Sequence, residues 1–161
     1  MNVDRILDML NRHEVEYLLI GGMNFFIRHR PVATFDVDVW IADTTENRSR
    51  CEAALRDLDA AWGADEQAWG PVARLAPGWL ERHGVYCLTS AAGDIDIFRS
   101  VKGLADWSDC ARRASSSTTK SGVSFLGLSD RDMIACQEAL PEGQRRVDRV
   151  LYLRKALHDD A

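Results

Sequence analysis

Ala33-Thr34-Phe35-Asp36-Val37-Asp38-Val39-Trp40-Ile41 is the stretch whose pattern decides the fold. Apolar and acidic residues alternate with the period of a β-strand, which sets Val37 and Val39 on one face and Asp36, Asp38 and Trp40 on the other. The two carboxylates then sit roughly 6–7 Å apart along one face. Like charges so arranged repel, and a protein tolerates them readily where something positive lies between them. An acidic strand face beside Phe35 and Trp40 is inverted for an ordinary soluble edge, unless that face lines a cleft.

A second segment repeats the alternation far downstream, Gly93-Asp94-Ile95-Asp96-Ile97-Phe98. Asp96 is the carboxylate placed to join the first pair, whereas Asp94 reads more simply as the turn residue that opens the strand. Ligation by oxygen alone in a tight group selects a hard divalent cation, Mg²⁺ or Mn²⁺. Upstream, Leu18-Leu19-Ile20 runs into Gly21-Gly22, so a strand ends on two glycines. Glycine permits close backbone approach, and such a corner suits phosphate. Taken alone, the same pair is equally a plain strand-to-helix turn.

Working outward, residues 2–13 carry a helical apolar stripe (Val3, Ile6, Leu7, Met9, Leu10), and residues 15–20 read as a strand. A short helix is expected over 23–29, stopped before Pro31, because the residue preceding proline avoids the α region. Asn24 is expected to cap that helix or to touch phosphate. A long helix is expected from about 45 to 62, with N-cap candidates at 43–45. Residues 63–82 are rich in Gly, Pro, Ala and Trp and read as irregular, their tryptophans as packing residues. The segments 84–89 and 94–99 read as antiparallel strands, and 115–122 as a polar turn or one arm of a hairpin with 123–128. Ser129 caps a helix to about 140, and a last helix reaches about 158. This is a mixed α/β pattern in one domain over 1–161, with a core at about 14–101 and a C-terminal helical part at about 129–158.

Composition narrows the class. The chain's 161 residues are 46% apolar and 28% charged, as in ordinary globular proteins. No apolar run approaches a membrane span, and the charged N-terminus lacks the apolar block of a secretory signal, so a cytoplasmic protein without membrane partners is expected. Cys51, Cys87, Cys110 and Cys136 are scattered, as are the histidines, which argues for free thiols and against zinc. A net charge of −5 argues against a nucleic-acid coat while leaving room for local basic patches at 28–30 and 145–155. The second patch reads as a solvated helix face, with Arg145 and Asp148 paired on it.

A glycine corner, a carboxylate pair and a third carboxylate on another strand are the parts that metal-dependent phosphoryl transfer requires. In this spacing they resemble the nucleotidyltransferase fold, the DNA polymerase β-like superfamily. More narrowly, Arg30-Pro31-Val32-Ala33-Thr34-Phe35-Asp36-Val37-Asp38 is similar to small bacterial nucleotidyltransferase-like proteins, among them the toxin components of abortive-infection systems. The likeness covers roughly residues 15–157. It implies a mixed sheet flanked by helices and transfer of a nucleoside monophosphate from an NTP to an acceptor: RNA, a protein, or a small molecule such as an antibiotic. It implies Asp36, Asp38 and Asp96 as Mg²⁺ (or Mn²⁺) ligands and catalytic acids, and Gly21 and Gly22 against the triphosphate. A cognate antitoxin-like partner is the corresponding expectation for a toxin.

Two positions depart from that pattern. Many relatives carry arginine where Val32 stands and lysine where Gln137 stands, and loss of a cation weakens triphosphate binding. Arg30 and Lys102 are the candidate substitutes. Thr34 either supports the dyad strand or contacts substrate. Two other functions compete: a catalytically degenerate nucleotidyltransferase-like binding module, for which Val32 and Gln137 speak, and a metal-dependent nuclease or phosphatase, against which the glycine pair speaks.

Overall fold

A computed structural model describes residues 1–161. The first half runs α1 (Val3–Arg12), β1 (Tyr17–Ile20), α2 (Gly21–Arg28), β2 (Asp36–Ile41), α3 (Thr45–Asp57), β3 (Ala61–Trp62) and β4 (Gly70–Pro71). The second half runs β5 (Val85–Leu88), β6 (Asp94–Phe98), α4 (Trp107–Arg112), β7 (Ser115–Thr118), β8 (Ser124–Gly127), α5 (Asp130–Glu138) and α6 (Val147–Asp159). Six strands form one mixed sheet in the order β5-β6-β2-β1-β8-β7, and β3 with β4 forms a small separate ribbon. The dyad strand β2 is interior. It pairs antiparallel with β1 and parallel with β6, in a register that sets Asp36 beside Asp94 and Asp38 beside Asp96.

Side-chain alternation along β2 divides the molecule into two cores. Val37, Val39 and Ile41 are fully buried on the face covered by α1 and α3, against Ile6, Leu7, Leu10, Cys51 and Leu55. The opposite face carries Trp40 beyond the acids. There a smaller core of Leu18, Ile20, Phe25, Trp40, Cys110, Met133 and Leu153 gathers α2, α4, α5 and α6. The acidic face is therefore roofed by helices at its Trp40 end and open at its Asp36 end. All four cysteines are free, and no helix is long and apolar enough to cross a membrane.

Several elements differ from expectation. α2 begins at Gly21 rather than after the glycine pair, so both glycines belong to its first turn. The helix expected to 62 ends at Asp57. Asp59 takes a left-handed conformation (φ 52°) and turns the chain so that Ala61 bonds Thr89 alongside the main sheet. Residues 63–82 include β4 and two single-turn 3₁₀ helices, Val72–Arg74 and Trp79–Glu81. The buried Glu52 carboxylate organises the second by accepting from the backbone N–H groups of Gly78 and Leu80 at 3.0 Å each. Trp79 is buried against Trp62 and Tyr86, but Trp69 is exposed and does not join the packing. The polar run from Ser115 is a strand, β7, hairpinned to β8.

Asn24 is a correction of another kind. It neither caps α2 nor faces the cleft: it is fully buried, and its amide donates to the Leu128 carbonyl at 3.0 Å. A Cβ on Gly127 would come within 2.2 Å of its Oδ1, so β8 can pass this side chain only as glycine. Asn24→Ala is expected to destabilise the protein by about 0.5–1.5 kcal/mol, the net worth of the lost hydrogen bond between α2 and the end of β8, since Arg28 still donates to the Leu128 carbonyl. Urea denaturation measures this, and nucleotide affinity per folded molecule should not change.

Candidate functional site

Parallel pairing of β2 with β6 brings the three acids together. Asp36, Asp38 and Asp96 each offer a carboxylate oxygen, and the three oxygens all lie within 4.8 Å of one another, a spacing that could hold a metal ion. All three side chains are partly buried. Burial pushes the Asp38 carboxyl up to about 7, and the charges of Asp36 and Asp96 add to the effect. Asp96 is raised as well, first by burial and then by Asp36. The group is thus an electrostatic deficit that a cation would relieve. Asp94 opens β6 beside Asp36 but is exposed and stands outside the cluster, in keeping with its reading as a turn residue.

Gly21 sits where β1 becomes α2, with φ at +69°. A Cβ there would lie 2.1 Å from Asp38 Oδ2, so only glycine lets the helix start lie against that carboxylate. At Gly22 a Cβ would come within 2.9 Å of Thr34 Oγ1, and the Thr34 hydroxyl donates weakly to the Asp36 carbonyl at 3.4 Å. Thr34 therefore packs the loop before β2 onto the helix start. No side chain caps α2, which leaves its amino end to the cleft. Gly21→Ala is expected to cost about 1–3 kcal/mol from backbone strain alone. It should also displace Asp38. Chemical denaturation measures the first effect, and loss of any Mg²⁺-induced thermal shift reports the second.

The cleft above the acids has a volume of about 810 Å³ and is lined by the glycine pair, the loop from Arg30 to Asp36, and residues of α5, α6 and their connection. Its cations come from two directions. Arg30 stands at the rim, half-exposed, 3.9 Å from Asp148 and over the Tyr152 ring. Arg146 and Arg149 reach in from the start of α6. Arg149 is the deeper: its Nη1 would be 3.3 Å from a Cβ on Gly22, and its guanidinium lies over the Phe25 ring. Burial and the neighbouring Arg146 lower its affinity for its proton, while Asp148 and then Asp38 oppose them.

The basic run in α6 is thus not a uniform solvated face. Arg149 is the residue that sequence reasoning missed, because membership of a charge run hid its position. Its spacing from the other arginines is no signal without knowing where α6 packs. Arg145 turns away instead, donating to the Leu140 and Glu138 carbonyls at 2.9 Å, where it closes the end of α5. Asp148 approaches Arg30 rather than Arg145. Lys102 is exposed and lines neither this cleft nor the cavity beside it. Gln137, on α5, does face the cleft. Its Oε1 accepts the Arg146 backbone N–H at 2.7 Å, and so holds the start of α6 in place.

No protein-family model and no curated protein matches the sequence. Solved structures do match. The lincosamide antibiotic adenylyltransferase LnuA, in its lincomycin-bound crystal structure, superposes with a TM-score of 0.60 at 13% identity, over 92% of each chain. The crystal structure of ANT(2'')-Ia in complex with adenylyl-2''-tobramycin gives 0.57 at 13% identity, over 96% of this chain and 87% of that one. TM1012 of Thermotoga maritima, provisionally named a nucleotidyltransferase, gives 0.51 at 18% identity, over 98% and 91%. At such identities the likeness is one of fold. The cluster of acids at the β2–β6 pair and the glycine corner beside it accordingly belong to a chain with the nucleotidyltransferase fold.

Proposed function

We propose that the protein is a nucleotidyltransferase that moves a nucleoside monophosphate from an NTP to the hydroxyl of an acceptor. The observation that carries this is the convergence of Asp36, Asp38 and Asp96 beside the uncapped, glycine-led start of α2 and the guanidinium of Arg149. Oxygen-only donors suit Mg²⁺ or Mn²⁺, and the raised Asp38 carboxyl is the behaviour of acids brought together for a cation. When bound, the ion would neutralise the phosphates and make the α-phosphorus more electrophilic.

In this reading the amino end of α2 and Arg149 bind the triphosphate, with Arg146 and Arg30 nearer the rim. Val32 and Gln137 supply no cation, and Arg146 and Arg149, at the start of α6, supply the positive charge instead. Asp36 and Asp38 hold the metal. Asp96, on the neighbouring strand, orients the acceptor hydroxyl and takes its proton as the acceptor oxygen bonds to the α-phosphorus. The bond from that phosphorus to the bridging oxygen breaks, and pyrophosphate leaves toward Arg149. The net negative charge and a cleft of about 810 Å³ favour a small-molecule acceptor over a polynucleotide. Lincomycin and tobramycin, the molecules named with the solved neighbours, set the first classes to try.

Incubation with α-labelled NTPs and Mg²⁺ tests the reading, with a lincosamide, an aminoglycoside, total RNA and a cell lysate as acceptors. Label should pass to one acceptor class and disappear in Asp36→Ala. A degenerate binding module would show Mg²⁺-dependent thermal stabilisation by NTP without transfer to any acceptor. Release of phosphate with no labelled acceptor would identify a hydrolase.

A further inference from the structure

A second cavity, of about 250 Å³, opens from the cleft under the α5–α6 pair. Its walls are apolar: Phe98 at the end of β6, Val101 in the loop that follows, Phe25 on α2, Met133 and Cys136 on α5, and Leu153 on α6. It shares Gly21, Asp38, Gln137, Leu140 and Arg149 with the polar cleft, so the two spaces meet beside the acids. A single ligand bridging them would be charged at one end and apolar at the other, with the junction at Asp38.

Resting on the nucleotidyl-transfer reading, we propose that this cavity receives the base of the NTP and that the Gln137 amide contacts the base edge. Size decides between base and acceptor. Pockets for drug-sized molecules run from about 300 to 1,000 Å³. A cavity of about 250 Å³ falls below that range and suits one flat ring system rather than a multi-ring acceptor. Phe98, only partly buried, supplies aromatic surface for such a ring. The Gln137 side chain has a settled orientation, because its Oε1 takes a backbone N–H at 2.7 Å. An N–H cannot be accepted by the amide nitrogen, so the NH₂ end remains to donate to a ring nitrogen or carbonyl. Position 137, which carries no charge for the phosphates, thereby acquires a role in base recognition.

The test compares calorimetric affinities for Mg²⁺-bound tripolyphosphate and for MgATP, MgGTP, MgCTP and MgUTP. Tripolyphosphate reports the polar cleft alone. At least one NTP is expected to bind about tenfold or more tightly than tripolyphosphate, from burial of its base. Val101→Trp, in the loop after β6, and Cys136→Phe, on α5, should each fill the cavity and remove that advantage while leaving tripolyphosphate affinity within about twofold. Gln137→Glu keeps an acceptor for the Arg146 N–H but loses the donor; after correction for any change with tripolyphosphate, it should reduce the preferred NTP's advantage. NTPs that bind no better than tripolyphosphate would overturn the proposal, as would filled variants with unchanged NTP affinity. Altered transfer with unchanged NTP affinity would assign the cavity to the acceptor instead. If neither tripolyphosphate nor any NTP binds, the nucleotidyl-transfer reading itself falls, and the base site with it.

Discussion

Replacing Asp38 with asparagine is expected to lower nucleotidyl transfer by about a thousandfold or more, while making the metal-free protein more stable. The two effects share one cause. Asp38 is held against Asp36 and Asp96 on a partly buried face, and its carboxyl titrates at about 7 rather than at the ordinary 3.8. Between about pH 4 and pH 7 the folded protein keeps a proton that the unfolded chain has released, so stability falls as pH rises through that window. Fully expressed above pH 7, the penalty is at most about 4 kcal/mol. An asparagine side chain has no charge to bury, so the stability difference between Asp38→Asn and wild type should be small at about pH 4 and grow to its maximum near pH 8. Comparing the two proteins at each pH cancels the opposing contribution of Asp43, whose carboxyl is lowered by its hydrogen bond to Arg99 and loses stabilising charge as pH falls. Saturating Mg²⁺ should reverse the order, because it stabilises the wild type and not the variant. Thermal melts across pH, with and without Mg²⁺, supply the measurement. A variant that melts below metal-free wild type at about pH 8, or that keeps transfer within about tenfold, would refute the metal role of this carboxylate.

Arg149→Met is the second large effect, with an expected rise of about ten- to hundredfold in the NTP KM. Arg149 combines proximity to Gly22, partial burial and a place beside Asp38, which neither Arg30 nor Arg146 matches. Methionine preserves the packing on Phe25 and removes the charge and the fork of donors. Arg149→Lys should recover only part of the loss, since a point charge cannot reproduce two parallel hydrogen bonds to a phosphate. Arg30→Met, at the exposed rim, should change KM much less. Because Asp38 is one of the charges facing Arg149, removing the guanidinium should also raise the Asp38 carboxyl further and lower metal affinity at neutral pH. Steady-state kinetics over NTP and Mg²⁺ concentrations separates these contributions. An unchanged NTP KM in Arg149→Met would remove Arg149 from the triphosphate site.

How much of this was legible before folding differs by residue, and for physical reasons. The alternation in β2 and β6 is a local property, since opposite faces of a strand are set by backbone geometry. Asp36, Asp38 and Asp96 were therefore readable as acids on strand faces, and Val37 and Val39 as core. That Asp38 and Asp96 are neighbours is not local: it depends on parallel pairing of strands that lie far apart in the chain. Asn24 shows the opposite failure. Close behind a glycine corner, a polar side chain looked like a capping or substrate group, yet the turn of α2 directs it at the Leu128 carbonyl on another element. Its neighbours in sequence were no guide to its neighbours in space.

The C-terminal arginines mark the limit most clearly. Arg145, Arg146 and Arg149 stand in one basic run, and nothing in their spacing ranks them. Packing of α6 against α5 turns Arg145 onto the end of α5 and aims Arg149 at the glycine corner. By itself the chain determined the elements that depend on local backbone preference: two acidic strands, a glycine-led helix and a mixed α/β order. The sequence could nominate Asp96 as the partner of Asp36 and Asp38, but only tertiary structure brought the three within reach and decided which cation faces them, because those contacts join segments that meet through packing rather than through any pattern either carries alone.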